Sequence, residues 1–241
     1  MSLERFFSYP SQTADYVSNV SDRFKYFYLA NPKAASTGIL RTLQLAEVDG
    51  NIRSVPASVH NRLDSPLRTI SSSRSTPDEI LAGLEFFRFT YVRNPFTRVL
   101  SAYLEKIVQE QSERARLLPT LGLAADAEVS FLKFLEAIRA QRDGWRDIHW
   151  TTQARLTQCN NISYHFIGRF ESFSSTFPHV LERLGISASH LKASGAPMHA
   201  TNANSRILEY IGPKERELII TIYESDFQAF GYGLDHKVAH L

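Results

Sequence analysis

A lysine, two hydroxyls and a glycine crowd into one short stretch, Asn31-Pro32-Lys33-Ala34-Ala35-Ser36-Thr37-Gly38. An ammonium can neutralise an anion, while hydroxyls and main-chain N–H groups can hydrogen-bond its oxygens. A second cation, Arg93, opens Arg93-Asn94-Pro95, and Arg98 and Ser101 follow three residues apart on what reads as one helix face. Three groups are candidates to take a proton near neutrality: His60, His149 and, one helical turn beyond Ser101, Glu105. Two separated clusters of cation and hydroxyl suit a ligand with two separated phosphates better than a nucleoside triphosphate. The Walker A pattern G-x-x-x-x-G-K-[ST] occurs nowhere, and no metal-binding acid pair stands out, which argues against a kinase.

Rigid elements must hold these groups. The apolar run at residues 25–30 predicts a strand that breaks at Asn31-Pro32, and a helix is expected over residues 36–45. Its apolar positions Ile39, Leu43 and Ala46 have helical spacing, and Ser36 is the expected N-cap. Residues 86–92 predict a second strand. Asn94 then suits an N-cap and Pro95 the first helical position, and Phe96, Leu100, Tyr103, Leu104 and Ile107 give the stripe of a packed helix. A third strand over residues 164–170 and a helix over 173–184, closed by Gly185, repeat the pattern. Helices are also expected from Thr76 as N-cap and over residues 129–140, 205–211 and 213–223. Residues 48–76 and 187–204 read as loop. Strands alternating with helices indicate an α/β fold with a largely parallel sheet, whose ligands sit at the C-terminal edge of the strands. Both cation-bearing turns belong to that edge.

Composition bounds the rest. At 241 residues with 43% hydrophobic content, the chain is expected to form one domain, 1–241, with an N-terminal arm at 1–24 and a core at 25–232. A net charge of +2 argues against duplex nucleic acid as a partner but allows a local basic pocket. The one cysteine, Cys159, excludes an internal disulfide framework and suits a reducing compartment. No apolar run reaches the ~20 residues of a membrane span, and the first residues lack a signal-peptide core. A soluble, cytoplasmic protein is therefore expected. Metal-ligand spacing is absent from the sequence.

Pro32-Lys33-Ala34-Ala35-Ser36-Thr37 resembles the 5′-phosphosulfate loop of the sulfotransferases that use 3′-phosphoadenosine 5′-phosphosulfate (PAPS). Tyr91-Val92-Arg93-Asn94-Pro95-Phe96-Thr97-Arg98-Val99-Leu100-Ser101-Ala102-Tyr103 resembles their 3′-phosphate motif, an arginine at a strand end and a serine eight residues on. Three later stretches add to the likeness: Asp147-Ile148-His149-Trp150 with Gln153, Tyr164 to Glu171, and Tyr223 to Tyr232. It is closest to the carbohydrate sulfotransferases of the chondroitin and dermatan type. Singly, each stretch also has an ordinary reading: a turn with an N-cap, a salt-bridged strand end, a tolerated helix serine, a core indole beside a bonded histidine. Five in family order are far more specific.

The resemblance implies a P-loop-like three-layer α/β sandwich and PAPS as co-substrate, with no metal. It implies that Lys33 stabilises the leaving phosphate, and that the Ala34, Ala35, Ser36, Thr37 and Gly38 loop holds the 5′-phosphate. Arg93 and Ser101 would take the 3′-phosphate, with Ser205 and Arg206 as further candidates to close over it. His60, in the segment before the 3′-phosphate strand, is the favoured general base, with His149 and Glu105 behind it; Arg169 either serves the site or pairs with an acid such as Glu171. The Tyr223–Tyr232 stretch is read as packing. The implied acceptor is a hydroxyl of a glycan or a small molecule; the alternatives are a PAP- or PAPS-binding protein without catalysis, and a sulfotransferase for a non-carbohydrate molecule. Two departures stand out: family members often carry Gly where this chain has Ala35, and relatives in the Golgi carry an N-terminal span. The expectation is a soluble, bacterial member or a trimmed form, of unspecified oligomeric state.

Overall fold

The two apolar runs form neighbouring parallel strands in the computed structural model, which describes residues 3–194 and 202–238. The sheet has the order β1 (Ser18–Ser21), β2 (Tyr26–Leu29), β3 (Phe87–Val92), β4 (Phe166–Arg169). Strand β1 is antiparallel to β2, and the other pairings are parallel, with Leu29 opposite Thr90 and Tyr91 opposite Gly168. Helices follow in chain order: α1 (Ser11–Val17), α2 (Ser36–Glu47), α3 (Pro77–Leu81) and α4 (Pro95–Tyr103), the last running on into a π-helical turn, Leu104–Gln109. Then come α5 (Gln111–Leu117), α6 (Phe131–Ala140), α7 (Gln153–Thr157), α8 (Phe173–Arg183) and α9 (Ser189–Ala193). The chain ends with α10 (Ala203–Tyr210), α11 (Pro213–Ile222) and α12 (Glu224–Phe230). This is the expected α/β class with a largely parallel sheet.

The chain forms two compact units: one holds the described residues up to Val92 and from Thr157 to 194, the other holds Arg93–Leu156 and the described residues from 202 on. In the first, one sheet face carries Tyr26, Tyr28, Phe89 and Tyr91. These pack in a single core with Ile39, Leu43 and Ala46 of α2 and Phe173, Phe177 and Leu181 of α8. The helical stripe expected of α2 is thus its buried face. Gly168 is required by this packing, because a Cβ there would collide with ring carbons of Tyr91, Cε1 first. The ring of Tyr91 is fully buried, meets Phe166, Phe173 and Phe177 edge-on, and has its hydroxyl on Thr176 Oγ1 at 3.2 Å.

In the second unit the stripe of α4 is buried throughout, as expected, and α6, α10 and α11 pack against it. Trp150 is fully buried, edge-on to Phe134, and its carbonyl accepts from Tyr223 Oη at 2.8 Å.

Several details differ from the sequence reading. The lead-in taken as an irregular arm contains α1 and β1. That strand escapes a periodicity test because all four of its residues, Ser-Asn-Val-Ser, are buried and most are polar. Ser36 is the first helical residue of α2 rather than its cap; Ala35 is the N-cap, with φ 65°. By contrast, Thr76 forms the full capping box with Glu79 at α3, and Asn94 caps α4, with Oδ1 accepting from Phe96 N at 3.0 Å. Part of the stretch read as loop at 187–204 is α9, and residues 195–201 of it lie outside the described residues.

Candidate active site

Strand β2 delivers the Lys33 turn. Asn31, fully buried, donates from Nδ2 to the carbonyl of Tyr91 at 2.9 Å, which ties the end of β2 to β3. The turn then adopts a rare backbone. Lys33 has φ 69° and Ala35 φ 65°, while Ala34 between them and Ser36 after them keep the usual negative sign. Left-handed φ in a residue with a Cβ costs on the order of 1–2 kcal/mol, so two of them in three residues persist only because the surrounding structure imposes them. Alternating signs of φ turn successive N–H groups toward one point and form a nest for an anion. The same turn opens α2, whose N-cap Ala35 has no side-chain acceptor for the first-turn N–H groups. Small residues at Ala34, Ala35 and Gly38 leave room for close approach to the main chain.

Helix α2 also places His60. Thr37, Arg41 and Gln44 lie at i, i+4 and i+7 and share one stripe. Thr37 Oγ1 is 3.3 Å from His60 Nε2, Arg41 Nη1 donates to Pro56 O at 2.9 Å, and buried Gln44 donates to Val59 O at 2.9 Å. Half-buried Arg62 fastens the other end of the loop to Asn19 Oδ1 and to Ser18 O. A histidine 23 residues away in sequence from Thr37 is therefore brought to the first turn of α2.

Arg93 is the residue after β3 and is 5% exposed. Its Nε donates to Thr97 Oγ1 at 3.0 Å and its Nη2 to Asn204 Oδ1 at 2.5 Å. Gln153 brackets its main chain: Oε1 accepts from Arg93 N at 2.8 Å and Nε2 donates to Arg93 O at 2.7 Å. Ser101, buried, stands two helical turns on along α4. Arg98 shares its helix but serves the fold: its guanidinium donates to Thr151 O at 2.8 Å and Ile148 O at 3.1 Å. Those bonds hold the segment that carries His149. His149 Nδ1 is 2.6 Å from Asp147 Oδ1. Burial pushes the Asp147 carboxyl up, but the hydrogen bonds and charge of His149 outweigh it and hold it below its usual value.

The later candidates are placed differently. Ser205 Oγ donates to Asn202 O at 2.9 Å, and Arg206 pairs with Glu209 at 2.9 Å and with Tyr210 Oη at 2.7 Å. The neighbour that reaches Arg93 is Asn204, which the sequence did not single out. Glu105 pairs with Lys106 at 3.3 Å on the π-helical turn, and Arg169 is exposed at the end of β4. Asp226, inside the stretch read as packing, is fully buried and binds Gln153, a role no spacing revealed. Among the described residues, no group of three or more His, Cys, Asp or Glu side chains converges, and no helix is long and apolar enough to cross a membrane.

A largely parallel α/β sheet with a turn of alternating φ sign at a helix N-terminus defines a class of α/β protein with a backbone that can receive an anion. Comparison with known sequences narrows it. A profile of the sulfotransferase family matches residues 17–233, and the chain belongs to that family. It is 26% identical over 231 residues to carbohydrate sulfotransferase 14 of Danio rerio, an overlap covering 89% of this chain and 62% of that one. It is 27% identical over 238 residues to carbohydrate sulfotransferase 10 of Homo sapiens, covering 88% and 66%. The chain thus spans just under two thirds of the length of these relatives. No solved structure matches it.

Proposed function

We propose that this protein transfers a sulfuryl group from PAPS to a hydroxyl of a carbohydrate acceptor. The observation that carries the reading is the alternation of φ sign from Lys33 to Ser36 at the start of α2, a backbone whose N–H groups suit a phosphate. When bound, PAPS supplies the activated group: its sulfur–oxygen bond to the 5′-phosphate breaks as a bond from sulfur to the acceptor oxygen forms, leaving PAP.

The residues then have separate tasks. The Ala34–Gly38 main chain and the hydroxyls of Ser36 and Thr37 hold the 5′-phosphate, and Lys33 meets the charge that grows on its oxygen. A fixed cation at such a point is worth roughly 3–4 kcal/mol. Arg93 and Ser101 take the 3′-phosphate. The family match runs unbroken over both the Lys33 turn and the Arg93 motif, which supports assigning both to one nucleotide. Asn204, which already holds the Arg93 guanidinium, is a better candidate to close over the 3′-phosphate than Ser205 or Arg206, whose polar groups are engaged elsewhere.

His60 is assigned as the base that takes the acceptor proton, on the strength of its contact with Thr37. His149, oriented by Asp147 in the way a carboxylate orients a basic imidazole, is the second reading. The names of the relatives favour a carbohydrate acceptor. Replacing each histidine by Ala separates the two: His60→Ala is expected to lower turnover by ~10²-fold or more while PAP affinity stays within a few fold. Unchanged turnover in His60→Ala with a loss in His149→Ala moves the role to the Asp147–His149 pair.

A further inference from the structure

The aromatic stretch near the C-terminus holds one residue that does not belong to a hydrophobic core. Asp226, on α12, is fully buried in a stretch whose Tyr223, Phe227 and Phe230 are buried too, and a carboxylate is costly in such a place unless it is fully hydrogen-bonded or paired. Three N–H donors converge on it. Oδ2 accepts from Gln153 N at 2.9 Å and from Gln153 Nε2 at 3.3 Å, and Oδ1 accepts from Ala154 N at 2.8 Å. The first and last of these are main-chain groups at the start of α7, so Asp226 acts as the cap of a helix distant from it in sequence.

The contact with Nε2 does more than cap. A carboxamide can sit either way round, and its neighbours decide which. Here Gln153 must present oxygen to Arg93 N and nitrogen to Arg93 O, and the carboxylate of Asp226 stabilises that orientation by accepting a second bond from the same nitrogen. The bracket satisfies both main-chain groups of Arg93 where the chain leaves β3 and a 5% exposed residue has little water to bond instead. The guanidinium is then held by Thr97 and Asn204. Backbone and head group of Arg93 are thus fixed independently before any ligand arrives.

We infer that Asp226, acting through Gln153, is the positioning residue that presets Arg93 for the 3′-phosphate. It touches no ligand itself. The inference rests on the assignment of Arg93 to that phosphate. It assigns a task to an acid in a segment otherwise devoted to packing, and it accounts for a buried Gln153 whose amide reaches both main-chain groups of Arg93 and the carboxylate.

The test combines PAP affinity, by calorimetry, with hydrogen exchange at the Arg93 amide, in wild type, Asp226→Asn, Gln153→Ala, Arg93→Ala and the two doubles with Arg93→Ala. Asp226→Asn keeps the shape but leaves one oxygen to accept where two did. Asp226→Asn and Gln153→Ala are each expected to weaken PAP binding on the order of tenfold, the effect of leaving a buried donor unpaired. Both should speed exchange at the Arg93 amide, and neither should weaken PAP further once Arg93 is Ala. Losses that add to that of Arg93→Ala, or an Arg93 amide equally protected in both single variants, overturn the inference and leave a purely structural role for Asp226. If Asp226→Asn does not fold, Gln153→Ala tests the same linkage, because it removes the bracket while Asp226 keeps its two main-chain donors. A wild type that does not bind PAP overturns the reading of Arg93 itself, and the inference with it.

Discussion

Lys33 and Ala35 hold the left-handed backbone of the turn proposed to receive the 5′-phosphate, and each does so against its own side chain. Glycine would adopt that conformation freely, at an entropic cost of roughly 0.5–1 kcal/mol that partly cancels the relief. Ala35→Gly is therefore expected to leave the melting temperature unchanged or raise it by a few degrees. Ala35→Val, with a β-branch at φ 65°, is expected to lower stability by about 1–2 kcal/mol, or several degrees, in the same thermal scan. The sequence showed the lysine, the hydroxyls and the break at Asn31-Pro32, and it flagged Ala35 as the place where relatives have glycine. It did not show which residue caps α2, because serine at a helix start is so often the cap that Ser36 took a role the backbone gives to Ala35. The structural role of Arg98, and Asn204 itself, were hidden for a different reason. Their partners are a pair of carbonyls 50 or more residues on and an arginine 111 residues back, and no local pattern encodes such pairings.

At the level of elements, the parallel core was legible because β2 and β3 are apolar runs that each end in a turn and an amphipathic helix. Strand β1 was not, since it is short, largely polar and buried on every residue. Strand β4 was legible as a strand, but the reason for its glycine was not. Gly168 lies against the ring of Tyr91, which three aromatic neighbours and a bond to Thr176 hold in place. Gly168→Ala is expected to destabilise the fold by about 1–3 kcal/mol, the usual cost of overpacking. Urea denaturation should show a lower midpoint with an unchanged slope. Tyr91→Phe in the same background would not rescue it, because the clash is with ring carbons rather than the hydroxyl. Beyond Tyr103 the helix that follows β3 changes to a π-helical turn. A stripe of apolar positions cannot report that change, because Leu104 and Ile107 remain buried either way.

For the molecule as a whole, a buried and a half-buried acid contribute with opposite sign to the dependence of stability on pH. Burial pushes the Asp226 carboxyl up to about 6, against the opposing charge of Arg98 and the donors on Ala154 and Gln153. An unfolded chain would release that proton near ~3.9. Between those values the folded protein binds a proton that the unfolded one has lost, so this group's contribution falls as pH rises from about 4 to about 6 and is level above. Asp147 has the opposite sign: its carboxyl is held low in the fold, so its contribution is lost as pH falls below about 4. Melting temperatures of wild type and Asp226→Asn across pH 4 to 7 should therefore converge as pH rises to 6 and run parallel beyond it. A constant gap would show that Asp226 is ionised throughout. The central claim concerns the reaction, and labelled sulfate answers it most directly: PAPS carrying the label, a panel of oligosaccharides, and the wild-type protein beside Lys33→Ala. The account predicts label on a saccharide hydroxyl with the wild type, and a rate at least ~10²-fold lower with Lys33→Ala while PAP still binds. Wild-type protein that binds PAP but labels no saccharide would contradict it, and would leave a protein that holds the nucleotide without using it on sugars.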